Sequence, residues 1–357
     1  MSSPSRLDSD VARSLGRGPK RGSAPTVSVV VASNRDKTLL HACLGSLLGQ
    51  CQRLNAELLV ARAGSAADVA ALAKTYPGVR FVTAPAEASI PQLRAVGMAQ
   101  ASGDVVALTE DHCVADANWV ETLTQSANSD ADVVGGGMDN ARRSRVVDWA
   151  AYFAEYGFFS SDRPEAAQGT PLLTGANVAY KRHVIADVIG WAQDGEWENV
   201  AHTRLVARGS MLRFARTAAI YQNQTYSVTA FCVDRYEHGR DFARKRLSEE
   251  PGARRWFLLM VSPLLPALLT WRVARAAARG RWGTFLRALP ATMLFLTAWS
   301  IGEGVGYLRG PAEALAPNAR RSHRTGPRRW SGQPLRPGSA CSARRPGGND
   351  ARFPRHR

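Results

Sequence analysis

The chain is expected to fold as an α/β protein around a mostly parallel sheet, and three observations lead there. From Val27 onward, short apolar runs rich in β-branched residues alternate with amphipathic stretches of helical spacing. The intervening turns carry Gly, Ser, Asp and Asn, as short strand–helix connections require. Apolar residues make up 45% of the 357 positions, enough for the sizeable core such a sheet needs.

The elements follow in order. Val27–Val31 is a continuous apolar run of the kind buried on both faces. Over Lys37–Gln50, Leu39, Leu40, Leu44, Leu47 and Leu48 recur at helical spacing. A strand near Glu57–Ala61, a helix near Ala66–Thr75 and a strand at Val79–Val82 come next. A helix near Ile90–Gln100, a strand at Asp104–Leu108 and a helix from about Ala117 extend the series, and Asp132–Gly136 is a further strand ending in glycines. In such sheets ligands bind beyond the carboxyl ends of the strands. Residues 141–250 are less regular and richer in aromatics (Trp149, Tyr152, Phe153, Tyr156), and are expected to build a second lobe over those strand ends.

Residues 1–25, rich in Ser, Gly, Pro and Arg, form a disordered basic leader, and 311–357 a disordered Arg/Pro-rich tail. Between 251 and 310 lie two apolar stretches, Trp256–Trp271 and about Phe285–Leu308, flanked by Arg254, Arg255, Arg272, Arg275, Arg279 and Arg281. They are membrane-associated helices, either spanning, interfacial or re-entrant, unless they form a buried helical cap. The net charge of +16 does not make the chain a specific nucleic-acid binder. From Arg320 onward eleven arginines face one acid, Asp350, and such a tail attracts any polyanion, lipid included. Five scattered cysteines without a Cys-x-x-Cys pair argue against a zinc site and suit a reducing compartment. The polar start lacks the apolar run of a secretory signal, which places the body in the cytoplasm. No glycine follows the first strand in Val31–Arg35, which rules out a dinucleotide-binding dehydrogenase.

Chemistry concentrates in Gly103–His112, a buried strand that ends in Glu110-Asp111-His112. Carboxylate oxygen and imidazole nitrogen suit Mn²⁺, which can bridge two phosphates and stabilise a departing diphosphate. On chemistry alone the triplet is equally a solvated turn, with Asp116 capping the next helix.

The stretch from about Thr26 to Leu247 resembles family 2 glycosyltransferases, which have the GT-A fold. Val27–Arg35 is similar to the family's first strand and its Asn-Arg turn, and Gln92–Gly97 with Ala101–Asp104 to its Arg-Asn-x-Gly…Ala-x-Gly-Asp stretch. On that register Glu110 and His112 fall on the two carboxylate positions of the family's Asp-x-Asp, so the resemblance makes them the metal ligands. It implies a divalent cation, Mn²⁺ or Mg²⁺, and donor contacts from Ser33, Arg62, Arg94, Glu110 and Asp111. Glu196–Gly209 resembles the segment bearing the catalytic acid. Counting back from Arg204-Leu205 puts Glu198 there as the base that deprotonates the acceptor hydroxyl, with Glu196 in reserve. Gly175-Ala176-Asn177 resembles the acceptor and sugar pocket, and Arg240 is placed to neutralise the diphosphate. A Gln-x-x-Arg-Trp motif is missing, which argues against a polymer-extruding synthase. The family's Val-Asp-x-Gly-Ser reads Val60-Ala61-Arg62-Ala63-Gly64-Ser65 here, so Arg62 replaces the acid that holds the nucleotide base.

The resemblance thus implies an inverting transferase moving a sugar from a nucleotide-diphosphate donor to a lipid-linked or glycan acceptor at the cytoplasmic membrane, with the GT-A domain (26–250) facing the cytoplasm. The competing expectation is a membrane scaffold that keeps the fold without catalysis.

Overall fold

The computed structural model describes residues 26–163, 172–249, 254–277 and 280–310, so the expected leader and tail lie outside the described residues. Eight strands form one sheet: β1 (Val27–Ser33), β2 (Glu57–Ala63), β3 (Arg80–Ala84), β4 (Val105–Glu110), β5 (Cys113–Ala115), β6 (Val133–Asn140), β7 (Val178–Lys181) and β8 (Leu212–Gln222). Their spatial order is β3-β2-β1-β4-β7-β6-β8-β5.

The block β3-β2-β1-β4 is parallel, built by the helices α1 (Lys37–Leu54), α2 (Ala66–Thr75) and α3 (Ile90–Gln100). Local chemistry fixes these helices. Asp36 accepts from the Thr38 N–H to open α1, Ser65 accepts from the Asp68 N–H to open α2, and a Ser89/Gln92 capping box opens α3. The sheet is mostly parallel as expected, and beyond β4 it becomes mixed, because β7 runs antiparallel to both β4 and β6. An antiparallel neighbour requires no crossover helix. The loop from β6 can therefore travel through α5 (Val146–Glu155) and return in the opposite direction.

The expected second lobe is corrected: β7 and β8 complete the same sheet, and β8 pairs parallel to β6. That pairing depends on Gly136, whose missing side chain lets the Ala218 carbonyl approach, beside a register shift between Gly136 and Met138. β4 also runs two residues further than expected, to Glu110, because its ladder with β1 continues to Ala32–Glu110. Helices α4 (Trp119–Ala127), α6 (Arg182–Gln193) and α7 (Glu198–Ala207) complete the layers around the sheet.

Four more helices follow: α8 (Val228–Glu249), α9 (Arg254–Val261), α10 (Leu265–Ala277) and α11 (Trp282–Arg309). α11 runs beside α8 in the same direction, as the ring pair Phe231–Phe295 at 4.7 Å and the contact of Tyr307 with Arg246 show. It also meets α5 through Phe153 and Phe285, 5.3 Å apart. At the start of α11, Arg281 bridges Asp139 at the end of β6 (3.0 Å) and Asp162 (3.2 Å). At its far end the Tyr307 carbonyl accepts from Arg255 at the start of α9 (2.5 Å). The start of α11 is thus tied to the end of β6, and its far end to α8 and to the start of α9. Arg254–Arg275 and Trp282–Arg309 are each long and apolar enough to cross a membrane.

Candidate active site

The site lies at the carboxyl end of β4. Successive residues there point in different directions, so Glu110, Asp111 and His112 part company. Asp111 turns toward β1. Its Oδ2 accepts from the Ser33 hydroxyl (2.8 Å) and the Arg35 N–H (2.8 Å), and Arg62 Nη1 stands 3.6 Å away. Arg62 also donates to the Ser33 hydroxyl and the Arg35 carbonyl, both at 2.7 Å. Burial pushes the Asp111 carboxyl up, against the lowering pull of the Arg35 N–H, His112 and Ser33. Ser33, Arg62 and Asp111 are therefore one buried cluster that fixes the turn after β1.

Glu110 and His112 face the other way, toward each other. His112 Nδ1 lies 3.5 Å from Glu110 Oε2, and His112 Nε2 lies 3.2 Å from the Tyr156 hydroxyl. Burial lowers the His112 pKa more than Glu110 raises it, so the imidazole is neutral near pH 7. Nδ1 is buried without a hydrogen-bond partner.

Arg94, in the second turn of α3, joins the expected metal-binding carboxylate Glu110 to the expected base Glu198. Its Nη2 donates to Glu110 Oε1 (2.5 Å) and its Nη1 to Glu198 Oε2 (2.8 Å). The guanidinium is 5% exposed and lies 6.0 Å from the centre of the Trp197 ring. A side chain at Gly175 would collide with it. Glu198 opens α7 and also accepts from the Gly175 N–H. Burial would raise its pKa, but Arg94 and that N–H outweigh burial and hold the carboxyl below the ordinary range. Glu198 is thus ionised at neutral pH, the form a base needs. Glu196 is bound by Arg204 at 2.6 and 3.1 Å and lines the same small cavity as Arg94 and Glu198.

Asn177 does not offer its amide to a sugar in this arrangement. Its Oδ1 accepts from Trp119 Nε1, and its Nδ2 donates to the Gly137 and Ala218 carbonyls, each at 2.8 Å. Asn177 instead anchors the Gly175–Asn177 loop, in which Ala176 is buried. Arg240 lies on α8, where its side chain bonds Asp241 at 3.3 Å and its backbone packs on Gly302 and Gly306 of α11. No contact joins it to Glu110, His112 or Glu198 among the described residues.

The structure adds residues that the sequence reading passed over. Tyr156 holds His112, and the neighbouring Glu155 is paired with Arg235 (3.2 Å), which itself donates to His238 Nδ1 (2.6 Å). Burial disfavours the Arg35 cation, but Tyr226, Glu110 and Glu155 outweigh it and raise its pKa, leaving a firm positive charge beside Glu110. Arg35 had a signal, the Asn-Arg turn after the first strand. Tyr156 and Arg235 had none, being single residues on helices that only folding brings to β4.

Among the described residues no three His, Cys, Asp or Glu side chains gather as a complete metal site. A divalent cation nevertheless fits the two donors present. Glu110 Oε2 and the partnerless His112 Nδ1 converge, and Tyr156 holds the second imidazole nitrogen as metal-binding histidines require.

Residues 28–189 match the family described as Glycosyl transferase family 2. This stretch is similar to family 2 glycosyltransferases. The chain is 32% identical over 109 residues to a glucosyl-dolichyl phosphate glucuronosyltransferase of Haloferax volcanii, covering 28% of this chain and 33% of that protein. The match thus spans about a third of that curated relative's length. In fold it is similar to a mannosyltransferase from Pyrobaculum calidifontis solved in complex with GDP-Man and Mn²⁺, at TM-score 0.53 and 18% identity, covering 84% of this chain and 92% of that one. The mixed sheet is accordingly the GT-A fold.

Proposed function

We propose that this protein is a glycosyltransferase that moves a sugar, with inversion, from a nucleotide-diphosphate donor to a lipid-linked or glycan acceptor at the cytoplasmic membrane. The observation that carries the reading is the bridge Glu110–Arg94–Glu198, with His112 beside it at the carboxyl end of β4. It gathers a two-donor cation site and an ionised carboxylate at the sheet edge where such folds bind ligands. The acceptor hydroxyl oxygen attacks the anomeric carbon as the carbon–oxygen bond to the diphosphate breaks, and the hydroxyl proton passes to Glu198. Glu110 and His112 would hold a divalent cation, which when bound supplies charge stabilisation for the departing diphosphate. Arg94 keeps Glu198 ionised and binds Glu110, Tyr156 orients the imidazole, and Ser33, Arg62 and Asp111 shape the turn that faces the donor. The similar mannosyltransferase was solved with GDP-Man and Mn²⁺, which supports a nucleotide-sugar and a divalent cation, and the Haloferax volcanii relative's name supports a lipid-linked acceptor.

The membrane placement rests on the outward faces of α9, α10 and α11, where Trp256, Phe257, Met260, Trp271, Trp282 and Leu286 are exposed. Such a surface is unstable in water and fits lipid. Because Arg281 is tied to Asp139 and Asp162, the turn before α11 stays on the domain's side. The hairpin therefore lies in one leaflet rather than crossing, with the domain (26–250) on the cytoplasmic side. The described cysteines, Cys43, Cys51, Cys113 and Cys232, are all free, as suits that compartment.

A donor panel of nucleotide-sugars, assayed on purified protein with and without Mn²⁺, tests the reading. Turnover is expected with one donor, falling at least 100-fold in Glu198→Gln, and losing its metal dependence in His112→Ala. No turnover or donor hydrolysis across the panel would sink it. The scaffold reading is favoured by one observation, that Arg94 already occupies both carboxylates. Calorimetric titration of nucleoside diphosphates separates the two, since a scaffold shows no binding that depends on Mn²⁺.

A further inference from the structure

A cavity of about 150 Å³ lies between the start of α5 and the first turns of α11, lined by Arg143, Ser144, Arg145, Trp149, Thr284 and Arg287. Val146 completes the lining, and three of the seven residues are cations. Arg287 makes no ion pair or hydrogen bond among the described residues. The loop that presents the other two is held firmly. Arg143 Nε donates to the Asn140 carbonyl (3.2 Å), Trp149 Nε1 to the Arg143 carbonyl (3.1 Å), and Arg145 Nη2 to the Tyr226 carbonyl (2.8 Å). Asp148, buried beneath, lies 3.7 Å from Arg145 and offsets one charge, which leaves two without a counter-ion among the described residues. No side chain caps α5, so the positive end of its dipole also faces this region.

We infer that this cavity binds the phosphate of a net-anionic membrane phospholipid. The charge calls for an anion with several acceptor oxygens, and arginines match phosphate geometry. The position selects the source. Thr284 and Arg287 belong to the same turns of α11 that expose Trp282 and Leu286, and Trp149 lines the wall. Tryptophans and arginines around an apolar helix mark headgroup depth. The cavity is also distinct from the transfer site. α5 separates them: it opens at the cavity and its last turn leads into Tyr156, which holds His112, roughly 15 Å away at helical rise. A lipid held here fixes how the domain is oriented on the bilayer, and takes no part in transfer. The inference rests on the reading that α11 faces lipid, and needs nothing from the transfer chemistry.

The test uses the full chain in neutral detergent, titrated by calorimetry with short-chain phosphatidylglycerol, short-chain phosphatidylcholine and inorganic phosphate. Phosphatidylglycerol is expected to bind at least ten-fold tighter than either of the others. Arg287→Gln should weaken it roughly five-fold and Arg143→Gln with Arg287→Gln roughly 25-fold, as expected for the loss of one and two charges near a headgroup. Arg287→Lys should keep most of the affinity. Thermal unfolding of each variant, with both side chains at the surface, confirms that the fold is intact. Equal binding by the double variant, or no preference for phosphatidylglycerol over phosphatidylcholine, overturns the inference. Inorganic phosphate binding as tightly as phosphatidylglycerol would make this a soluble-anion site and overturn it too.

Discussion

Arg94 shows how one residue can hold a site together. Its guanidinium lies between Glu110 and Glu198, and all three are largely shielded from water. Removing the cation while keeping the volume leaves two carboxylates facing each other without compensation. Arg94→Met is expected to destabilise the fold by about 3 kcal/mol, read by urea unfolding, because an orphaned buried charge costs more than a buried pair contributes. Gly175→Ala tests the same geometry from the other side. Its methyl would displace the guanidinium, so turnover should fall more than ten-fold and the urea midpoint should fall with it. Two histidines set the pH response. Burial depresses His202, bonded to the Tyr180 hydroxyl, to about 4, and burial with Arg235 does the same to His238. Each folded-state value lies below the unfolded one, so the unfolded chain binds more protons between pH 6.5 and 4. Stability is complete above that window and declines as pH falls through it, and His202→Gln should flatten the decline in pH-resolved thermal unfolding.

At the scale of elements, the contact between α8 and α11 does the most to join site and surface. Gly239, Gly302 and Gly306 sit where the two backbones touch, and a side chain at Gly302 would strike the Tyr236 carbonyl. α8 carries Arg235 and His238 to Glu155, so its position bears on the surroundings of His112. Gly302→Leu is expected to lower the thermal midpoint by several degrees and to reduce turnover, since overpacking of this kind costs about 1–3 kcal/mol. An unchanged midpoint would show that the helices separate freely. The strands and first three helices of the parallel block were legible in the sequence, because buried β-branched runs and capped amphipathic helices are local signals. The direction of β7 was not. A four-residue strand reads the same either way, and only its partners β4 and β6 decide.

For the whole molecule, the tie from Arg281 to Asp139 and Asp162 makes a statement about topology. Length and composition alone permit both apolar helices to cross a bilayer. With the intervening turn held against the end of β6, α11 lies along α8, and the proposed placement has neither helix cross. In a Cys232→Ser/Cys341→Ser background, an impermeant maleimide should label Trp282→Cys from the same side of sealed vesicles as Glu121→Cys on α4. Labelling from opposite sides would restore a crossing hairpin.

The sequence by itself determined the α/β order, the Glu110-Asp111-His112 strand end and the resemblance to family 2 glycosyltransferases. Each of these is written in a few adjacent residues, where hydrophobic period, capping and motif spacing act. Tertiary structure alone decided the roles inside the site. Asp111 went to the Ser33 and Arg62 cluster, Asn177 to its three scaffold bonds, and Arg240 to a helix crossing. Arg94 was joined to Glu198 across 104 positions. Side-chain direction at a strand end, and partners that distant in sequence, depend on how the sheet is assembled. No local pattern encodes them.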